Sequence, residues 1–233
     1  MREIVLDTET TGLDPEQGHK VIEIGAVELH NHIPTGRTLQ LYINPERDIP
    51  PESVAVHGIT AEFLKDKPVF SQVYTQFLDF IGQDSTLVIH NAEFDMKFIN
   101  SELKQVGHSP LPWSRALDTA AMARKKFPGS PANLDALCRR FNIDNSNRTF
   151  HGALLDSELL AEVYLELLGG RQHGLGLVVE NASSSSYAEL KPGVKKALRP
   201  ARPHGASAEE LAAHEEMLKD LQDPLWKKTG GQG

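Results

Sequence analysis

The sequence predicts an α/β domain in which helices pack on a mixed β-sheet, followed by a flexible tail with a short amphipathic helix. Two observations predict the domain. Strand-like segments joined by short connections fill the chain up to residue 43, and strand and helix patterns alternate after them. The tail is predicted by a change of composition after Gly169-Gly170, where serine, proline and basic residues accumulate.

Three strands open the domain. Ile4-Val5-Leu6 is a continuous apolar run rich in β-branched residues, which is typical of a strand covered on both faces. Segments 20–29 and 37–43 alternate apolar and polar residues. Because the connections between these segments are short, we expect antiparallel neighbours in a meander, which Pro50-Pro51 then interrupts.

Helices and strands alternate in the rest of the domain. The apolar residues of segment 70–81 recur at helical spacing, Thr86-Leu87-Val88-Ile89 forms a fourth strand, and a short fifth strand ends near Asp118. The remaining apolar patterns predict four further helices, at about 93–106, 120–127, 133–141 and 153–168.

Composition places the chain among ordinary globular proteins. Its 233 residues are 39% hydrophobic and 24% charged, which excludes wholesale disorder. No apolar run approaches the ~20 residues that cross a bilayer, and the first residues do not form a signal peptide. The single cysteine, Cys138, excludes an internal disulfide framework and a cysteine-rich zinc site. We therefore expect a soluble, cytoplasmic protein without a membrane partner.

The net charge of −8 is distributed unevenly along the chain. Residues 1–170 hold 15 Lys and Arg against 24 Asp and Glu, whereas residues 171–233 hold 9 against 8. An acidic domain argues against tight, unaided binding to a long nucleic-acid duplex, because phosphate backbones attract basic patches. It is compatible with a site in which carboxylates surround bound cations.

Asp7 and Glu9 lie at the C-terminal end of the first strand, before Thr10-Thr11-Gly12 turns the chain. Side chains two residues apart share one face of a strand, so both carboxylates project to the same side. Two acids that close repel each other unless a cation lies between them. A simple acidic turn is the alternative, but it does not explain why the acids follow the most hydrophobic strand.

Two further aspartates fall on the buried sides of predicted helices. Asp95 follows a plausible N-cap, Asn91, and lies about 200° around the helix from the solvent-facing Lys97. Asp156 likewise lies about 200° from Glu158 on the last helix of the domain. A carboxylate on a buried stripe is costly unless it is paired or bound to metal. For either aspartate alone a structural hydrogen bond remains an alternative, but the two together with the acids of the first strand favour a metal site.

His151 precedes Asp156 by five residues, a spacing that on a regular helix separates two side chains by ~140°. Both residues can serve one site only if His151 lies in the loop before the helix begins, which segment 148–152 permits. A loop histidine can move between open and engaged positions. The alternative is an ordinary surface histidine, of which this chain offers many examples.

These residues, in this order, resemble the DnaQ-like 3′–5′ exonucleases of the DEDDh subgroup, named for four acids and a histidine. DTETTG (7–12), HNAEFD (90–95) and HGALLD (151–156) match the three motifs of the family, and VHGIT (56–60) fits a further segment. Each motif alone is weak, but the joint match is specific. The resemblance covers about residues 1–170 and implies a ribonuclease H-like fold with a mixed five-stranded sheet.

The resemblance also implies how the site works. It implies hydrolysis of phosphodiester bonds with two divalent cations, Mg²⁺ or Mn²⁺. Asp7 is then the bridging ligand, Glu9 and Asp156 hold the nucleophile-side cation, and Asp95 holds the second cation through water. His151 is the general base, since the unperturbed pKa of a histidine, ~6.5, lies near working pH. The residues implied for gripping the terminal nucleotide at a single-stranded DNA 3′ end are Thr10, His57, Asn91 and Phe94.

A helix is predicted in the tail. Ser207 and Glu210 form a capping box, and behind it Leu211, His214, Leu218 and Leu221 recur at helical spacing. A lone helix of about four turns cannot bury such a stripe by itself, so a partner is expected. Folding back onto the chain's own domain is the alternative.

The tail also resembles that of a protein class. Segment 208–233 is similar to the C-terminal segment of the proofreading subunits of bacterial replicative DNA polymerases, which tethers the exonuclease to the polymerase (alpha) subunit. The resemblance implies removal of mispaired nucleotides from DNA 3′ ends. Trp226 is the expected anchor of this tether, because buried aromatic residues dominate such interfaces. A tethered enzyme needs little DNA affinity of its own, which reconciles the acidic domain with a DNA substrate.

Between the domain and segment 208–233 we expect a clamp-binding segment and a linker. Residues 171–180 resemble the peptide that docks on the sliding clamp, through Gln172, Leu175 and Leu177, with Leu177 where phenylalanine is usual. Residues 181–207 are the expected flexible linker. Whether a further small accessory subunit binds the domain stays open from the sequence.

Two other functions stay open at this point. One is a stand-alone RNA-trimming exonuclease of the same fold, because the motifs do not separate ribose from deoxyribose. The other is a non-catalytic scaffold of a polymerase complex. A complete set of four acids and a histidine argues against the scaffold.

Overall fold

The computed structural model describes residues 1–146, 148, 150–170 and 205–219. The chain divides into two units, Met1–Val178 and Val179–Gly233. Within the described residues, no helix combines the length and the apolarity that a membrane span requires.

Five strands form one mixed sheet in the order β3-β2-β1-β4-β5. β1 (Arg2–Thr10), β2 (Val21–His30) and β3 (Ile33–Tyr42) pair antiparallel, whereas β4 (Thr86–Ile89) and β5 (Ala116–Asp118) continue the sheet parallel to β1. The predicted mixed five-stranded sheet is therefore confirmed. Because β1, β4 and β5 run in the same direction, their carboxyl ends meet at one edge, where open α/β sheets bind ligands.

The five helices predicted for the domain are present within one residue of their expected bounds. The sequence does not predict α1 and α2, because Pro50-Pro51 indicates an interruption, whereas Pro51 is the first residue of α1. Proline is in fact well tolerated in the first turn of a helix, where its missing N–H costs nothing. The seven helices described in the domain are α1 (Pro51–His57), α2 (Ala61–Leu64), α3 (Phe70–Ile81), α4 (Ala92–Gln105), α5 (Thr119–Lys126), α6 (Leu134–Phe141) and α7 (Ala153–Leu167).

Hydrophobic cores cover both faces of the sheet. Ile4 and Leu6 point into a core shared with α3 and α4, whereas Val5 points into a second core shared with α5, α6 and α7. All three side chains are fully buried. Because alternate residues of a strand face opposite sides, burial on both faces requires the continuous apolar run seen in the sequence.

The first turn of α7 packs closely on β2 at Gly25. A Cβ atom at Gly25 would lie 2.1 Å from the carbonyl carbon of Ala153. The backbone N–H of Ala153 also donates to Oε2 of the buried Glu23 at 3.1 Å. Gly25 pairs with Asp7 in the register of β1 and β2. The close approach therefore carries Asp156, one turn into α7, toward Asp7.

One helix, α8 (Ala208–Lys219), is described in the second unit. The Ser207 N–H donates to Oε2 of Glu210 at 2.8 Å, and the Glu210 N–H donates to Oγ of Ser207 at 3.2 Å. The predicted capping box is therefore confirmed. Leu211 is 54% exposed. Outside the described residues lie segment 181–204 of the predicted linker and the predicted contact residues Gln172, Leu175, Leu177 and Trp226.

We expect Gly25→Ala to destabilise the domain by about 3 kcal/mol, because its Cβ would overlap backbone atoms that cannot rotate away. The melting temperature should fall by roughly 6–12 °C in calorimetry. Gly152→Ala is the matched control, since a Cβ there meets nothing within 4 Å. Equal melting temperatures for the two variants would contradict the close approach of α7 to β2.

Candidate active site

Four carboxylates converge at the carboxyl edge of the sheet. Asp7 and Glu9 lie in the second half of β1, Asp95 lies in the first turn of α4 directly after β4, and Asp156 lies in the first turn of α7. All four line one cleft of about 310 Å³. The structure thus brings together the four acids that the sequence singled out.

Asp95 is held from the opposite side of β1. Thr8, which lies between the two acids of the strand, donates its hydroxyl hydrogen to Oδ1 of Asp95 at 2.7 Å. Asp95 is buried, so its side chain points toward the protein body as its position on the helix predicts. One strand therefore contributes two acids to the cluster and orients a third.

Burial and mutual repulsion shift the protonation of three of these acids. Burial and the neighbouring carboxylates, led by Asp95, hold the pKa of Asp7 well above its usual range. Burial, with smaller contributions from Asp156 and Glu23, raises the pKa of Glu9 to about 8. Burial also raises the pKa of Asp95 to about 7, against a hydrogen bond that favours the charged form. The cluster therefore carries more negative charge than its surroundings stabilise, and it favours binding of protons or cations.

His151 lies in the loop before α7, as its spacing from Asp156 requires. Its backbone N–H donates to the carbonyl oxygen of Val56 at 3.1 Å, and its Nδ1 is 3.5 Å from Oδ2 of Asp156. Single ligand atoms of Glu9, His151 and Asp156 all lie within 4.8 Å of one another. About half of the imidazole is exposed, so the histidine lies at the rim of the acid cluster and reaches solvent.

Sequence reasoning missed Arg148, whose side chain is only 7% exposed. Its guanidinium binds both carboxylate oxygens of Asp156, with Nε–Oδ1 at 2.5 Å and Nη2–Oδ2 at 2.6 Å. Its Nη1 also lies 2.7 Å from Oδ1 of Asp135. Among the described residues, no lysine or other arginine forms an ion pair with an acid of the cluster. The available signal was an arginine three residues before His151, but spacing in a loop does not reveal burial.

A second cleft, of about 540 Å³, adjoins the acid cluster. It is lined by Thr10 and His57, and Phe94 borders both clefts. Nδ1 of His57 accepts the N–H of Ile59 at 3.0 Å, which leaves the proton of the neutral ring on Nε2. That buried Nε2 makes no hydrogen bond of normal geometry among the described residues, and the backbone of Thr10 is the polar group close to the ring. Three of the four residues predicted to grip a nucleotide therefore line this second cleft.

Asn91 lines the cleft of the four acids rather than the second cleft. It stands immediately before α4, as predicted, but its side chain makes no capping hydrogen bond. Its backbone is left-handed (φ 63°), and its N–H donates to Oδ1 of Asp118 at 3.0 Å. The prediction of a side-chain cap is therefore wrong, because the left-handed backbone replaces the extended conformation that a capping side chain needs.

Comparison with known proteins places these features in a family. The sequence profile of the exonuclease (RNase_T) family matches residues 4–164. DNA polymerase III subunit epsilon of Rickettsia felis is 50% identical over 226 residues, which cover 95% of this chain and 97% of that protein. The chain belongs to this exonuclease family. DNA polymerase III subunit epsilon of Escherichia coli K12, a further relative, is 45% identical over 240 residues, covering 99% of this chain and 95% of that protein. The family predicted from the motifs is therefore confirmed.

Solved structures of other exonucleases share the fold. The nuclease domain of 3′hExo, a DEDDh family member bound to rAMP, matches with a TM-score of 0.62 at 22% identity, covering 72% of this chain and 91% of that one. Exonuclease X in complex with 5′ overhanging duplex DNA matches with a TM-score of 0.55 at 24% identity, covering 71% of this chain and 90% of that one. The ribonuclease H-like fold expected for the family is confirmed.

The raised pKa of Glu9 predicts how the stability of the cation-free domain depends on pH. At neutral pH the folded state holds protons that the unfolded chain has released, so stability is greatest below the ordinary pKa of glutamate and is lost as pH rises toward about 8. We expect the melting temperature in EDTA to fall by roughly 3 °C per pH unit between pH 5 and pH 8.

Glu9→Gln is the matched variant, because it keeps the shape of the side chain and removes its titration. The difference in melting temperature between Glu9→Gln and the unmodified chain should therefore grow with pH. A difference that stays constant from pH 5 to pH 8 would contradict the raised pKa.

Proposed function

We propose that this chain is a metal-dependent 3′–5′ exonuclease that removes mispaired nucleotides from DNA 3′ ends as the proofreading subunit of a bacterial replicative DNA polymerase. One observation supports the chemistry above all: three buried carboxylates, those of Glu9, Asp95 and Asp156, converge with the partly buried Asp7 in one cleft that has a histidine at its rim. The names of the relatives support the polymerase context. Since those relatives are bacterial, the proposed place of action is the bacterial cytoplasm.

The acid cluster fits two divalent cations, Mg²⁺ or Mn²⁺. Carboxylate oxygens are the ligands that these hard cations prefer, and the only cysteine, Cys138, belongs to the core between α6 and α7. In the proposed assignment Asp7 would be a ligand shared by the two cations, Glu9 and Asp156 would hold one of them, and Asp95 would hold the other. When bound, the cations neutralise negative charge on the phosphate and make the attacking water more acidic.

His151 supplies the base in the proposed reaction. It lies beside Glu9 and Asp156 yet remains half exposed, so it can take a proton from a water in the cleft and pass it to solvent.

The second cleft is the proposed position of the terminal nucleotide. The Nε2–H of His57 makes no hydrogen bond of normal geometry and offers a buried donor there, and burial lowers the pKa of His57, which keeps the ring neutral. Phe94 offers an aromatic surface between the two clefts, suited to stacking against a base. Thr10 lines the same cleft, and Asn91 lies on the side of the four acids.

The proposed partners bind through the tail. Leu211 is exposed on α8, and Leu218 lies seven residues further along the same helix. Together with Trp226 they form the proposed contact with the polymerase alpha subunit, because a single helix cannot bury its own apolar stripe. The proposed contact with the sliding clamp uses Gln172, Leu175 and Leu177, and a small accessory subunit is a further proposed partner.

Asp7→Asn should lower the rate of exonuclease cleavage by about 10³-fold or more, because it removes a charged ligand shared by both cations. Its melting temperature without cations should not fall, since a buried charge is removed. Asp66→Asn, at an exposed position, is the control. The assay compares mispaired and paired DNA primers with a matched RNA strand. Cleavage by Asp7→Asn at the control rate would contradict the metal site, and a preference for RNA would contradict the DNA substrate.

Truncation after residue 206 should abolish co-elution with the polymerase alpha subunit, because it removes α8 and everything that follows it. Cleavage of free single-stranded DNA should stay within about twofold, since a tether supplies effective concentration rather than chemistry. Gel filtration of the full chain and the truncated chain with the alpha subunit tests the first expectation. Co-elution of the truncated chain would rule out the proposed tether.

A further inference from the structure

The guanidinium of Arg148 occupies the acid cluster where positive charge is needed. It grips both oxygens of Asp156 in the fork geometry that arginine forms with a carboxylate. The same Nη2 lies 2.9 Å from Nδ1 of His151, and Nη1 binds Asp135. The buried guanidinium of Arg148 therefore contacts two residues of the proposed catalytic set, Asp156 and His151, and one acid outside that set, Asp135.

In the hydrogen bond between Arg148 and His151, only the arginine can be the donor. A guanidinium has donors and no acceptor, so Nδ1 of His151 must accept. A neutral imidazole has a single nitrogen with a free lone pair, and here that nitrogen is engaged by Arg148. While the contact persists, His151 cannot take a proton from water.

Arg148 also competes for the position of a metal ligand. Asp156 belongs, with Glu9 and His151, to the group whose ligand atoms lie within 4.8 Å of one another. A divalent cation bound there would face a guanidinium at hydrogen-bond distance from the same carboxylate, and two positive charges that close repel strongly. The carboxylate of Asp156 can therefore bind either the divalent cation or the guanidinium of Arg148, but not both at once.

Asp135 offers the guanidinium a second position. It stands at the start of α6, is about half exposed, lines the same cleft and is already bound by Nη1 of Arg148. The side-chain amide of Asn145 donates to the same Oδ1 at 3.1 Å, which holds that carboxylate in place. Arg148 can therefore release Asp156 without losing its charged partner.

We propose that Arg148 is a resident counter-ion that closes the site by holding Asp156 and His151, and that divalent cations displace it onto Asp135. The inference rests on the proposed role of Asp156 as a cation ligand. Arg148 is thus a positioning residue that sets cation affinity and frees the base only when cations are bound.

Calorimetric titration of the full chain with Mn²⁺ tests the inference without measuring activity. Arg148→Gln should bind Mn²⁺ about tenfold more tightly than the unmodified chain, because no internal cation has to leave. Without cations, the melting temperature of Arg148→Gln should be lower than that of the unmodified chain. In saturating Mn²⁺ the two melting temperatures should lie closer together. Arg139→Gln, which removes the same charge from an exposed position on α6, is the matched control and should change neither quantity.

Two further variants make the experiment decisive. Arg148→Lys keeps the charge but cannot form the fork, so it should also tighten Mn²⁺ binding, and it provides the test should the glutamine variant not fold. Asp135→Asn as a single substitution should weaken Mn²⁺ binding severalfold. Added to Arg148→Gln in a double variant, it should leave Mn²⁺ affinity unchanged. Mn²⁺ affinity that is unchanged or weaker in both Arg148 variants would overturn the counter-ion role alone. An unmodified chain that binds no Mn²⁺ would overturn the metal site itself, and with it the proposed function.

Discussion

The strongest constraint on this domain is the negative charge of the four carboxylates at one edge of the sheet, because few positive charges lie beside them. Carboxylates placed so close together and so far from water oppose folding unless protons or cations join them. Among the described residues the cluster has one guanidinium, that of Arg148, as counter-charge. Cores on both faces of the sheet offset the unfavourable electrostatics, which explains how the acids can follow a strand whose apolar residues are fully buried.

The alternation of side chains along β1 lets one strand organise ligands from both faces. Asp7 and Glu9 share the face of Val5, toward α7, whereas Thr8 shares the face of Leu6, toward α4. The first two meet Asp156 on their side, and Thr8 holds the acid of α4 from the other. A shift of one residue in the strand would reverse every one of these directions, so the position of the cluster depends on the register of the sheet.

Much of this arrangement could be predicted because it is periodic. The helical angle that separates Asp95 and Asp156 from solvent-facing neighbours is a local property of the chain, and so is the period of two on β1. The first half of β3 is exposed throughout, so it has no alternation to detect. Glu23 was missed because it sits in a strand that is buried on both faces, where its bond to the α7 backbone is purely tertiary. Arg148 lies in a loop, where no period relates sequence to direction.

The acids and the two basic residues of the site lie in different kinds of structure. The four acids come from strands and helix starts that ladders and cores hold in place, as cation ligands require. His151 and Arg148 lie between α6 and α7, outside the helices and strands of the domain. In the proposed mechanism, cation binding depends on acids held by a strand and two helices, whereas release of the base depends on a contact made outside them. If Arg148 is the resident counter-ion, as proposed, this division allows a domain of strongly acidic balance to stay folded with the site closed and to act only when cations replace the arginine.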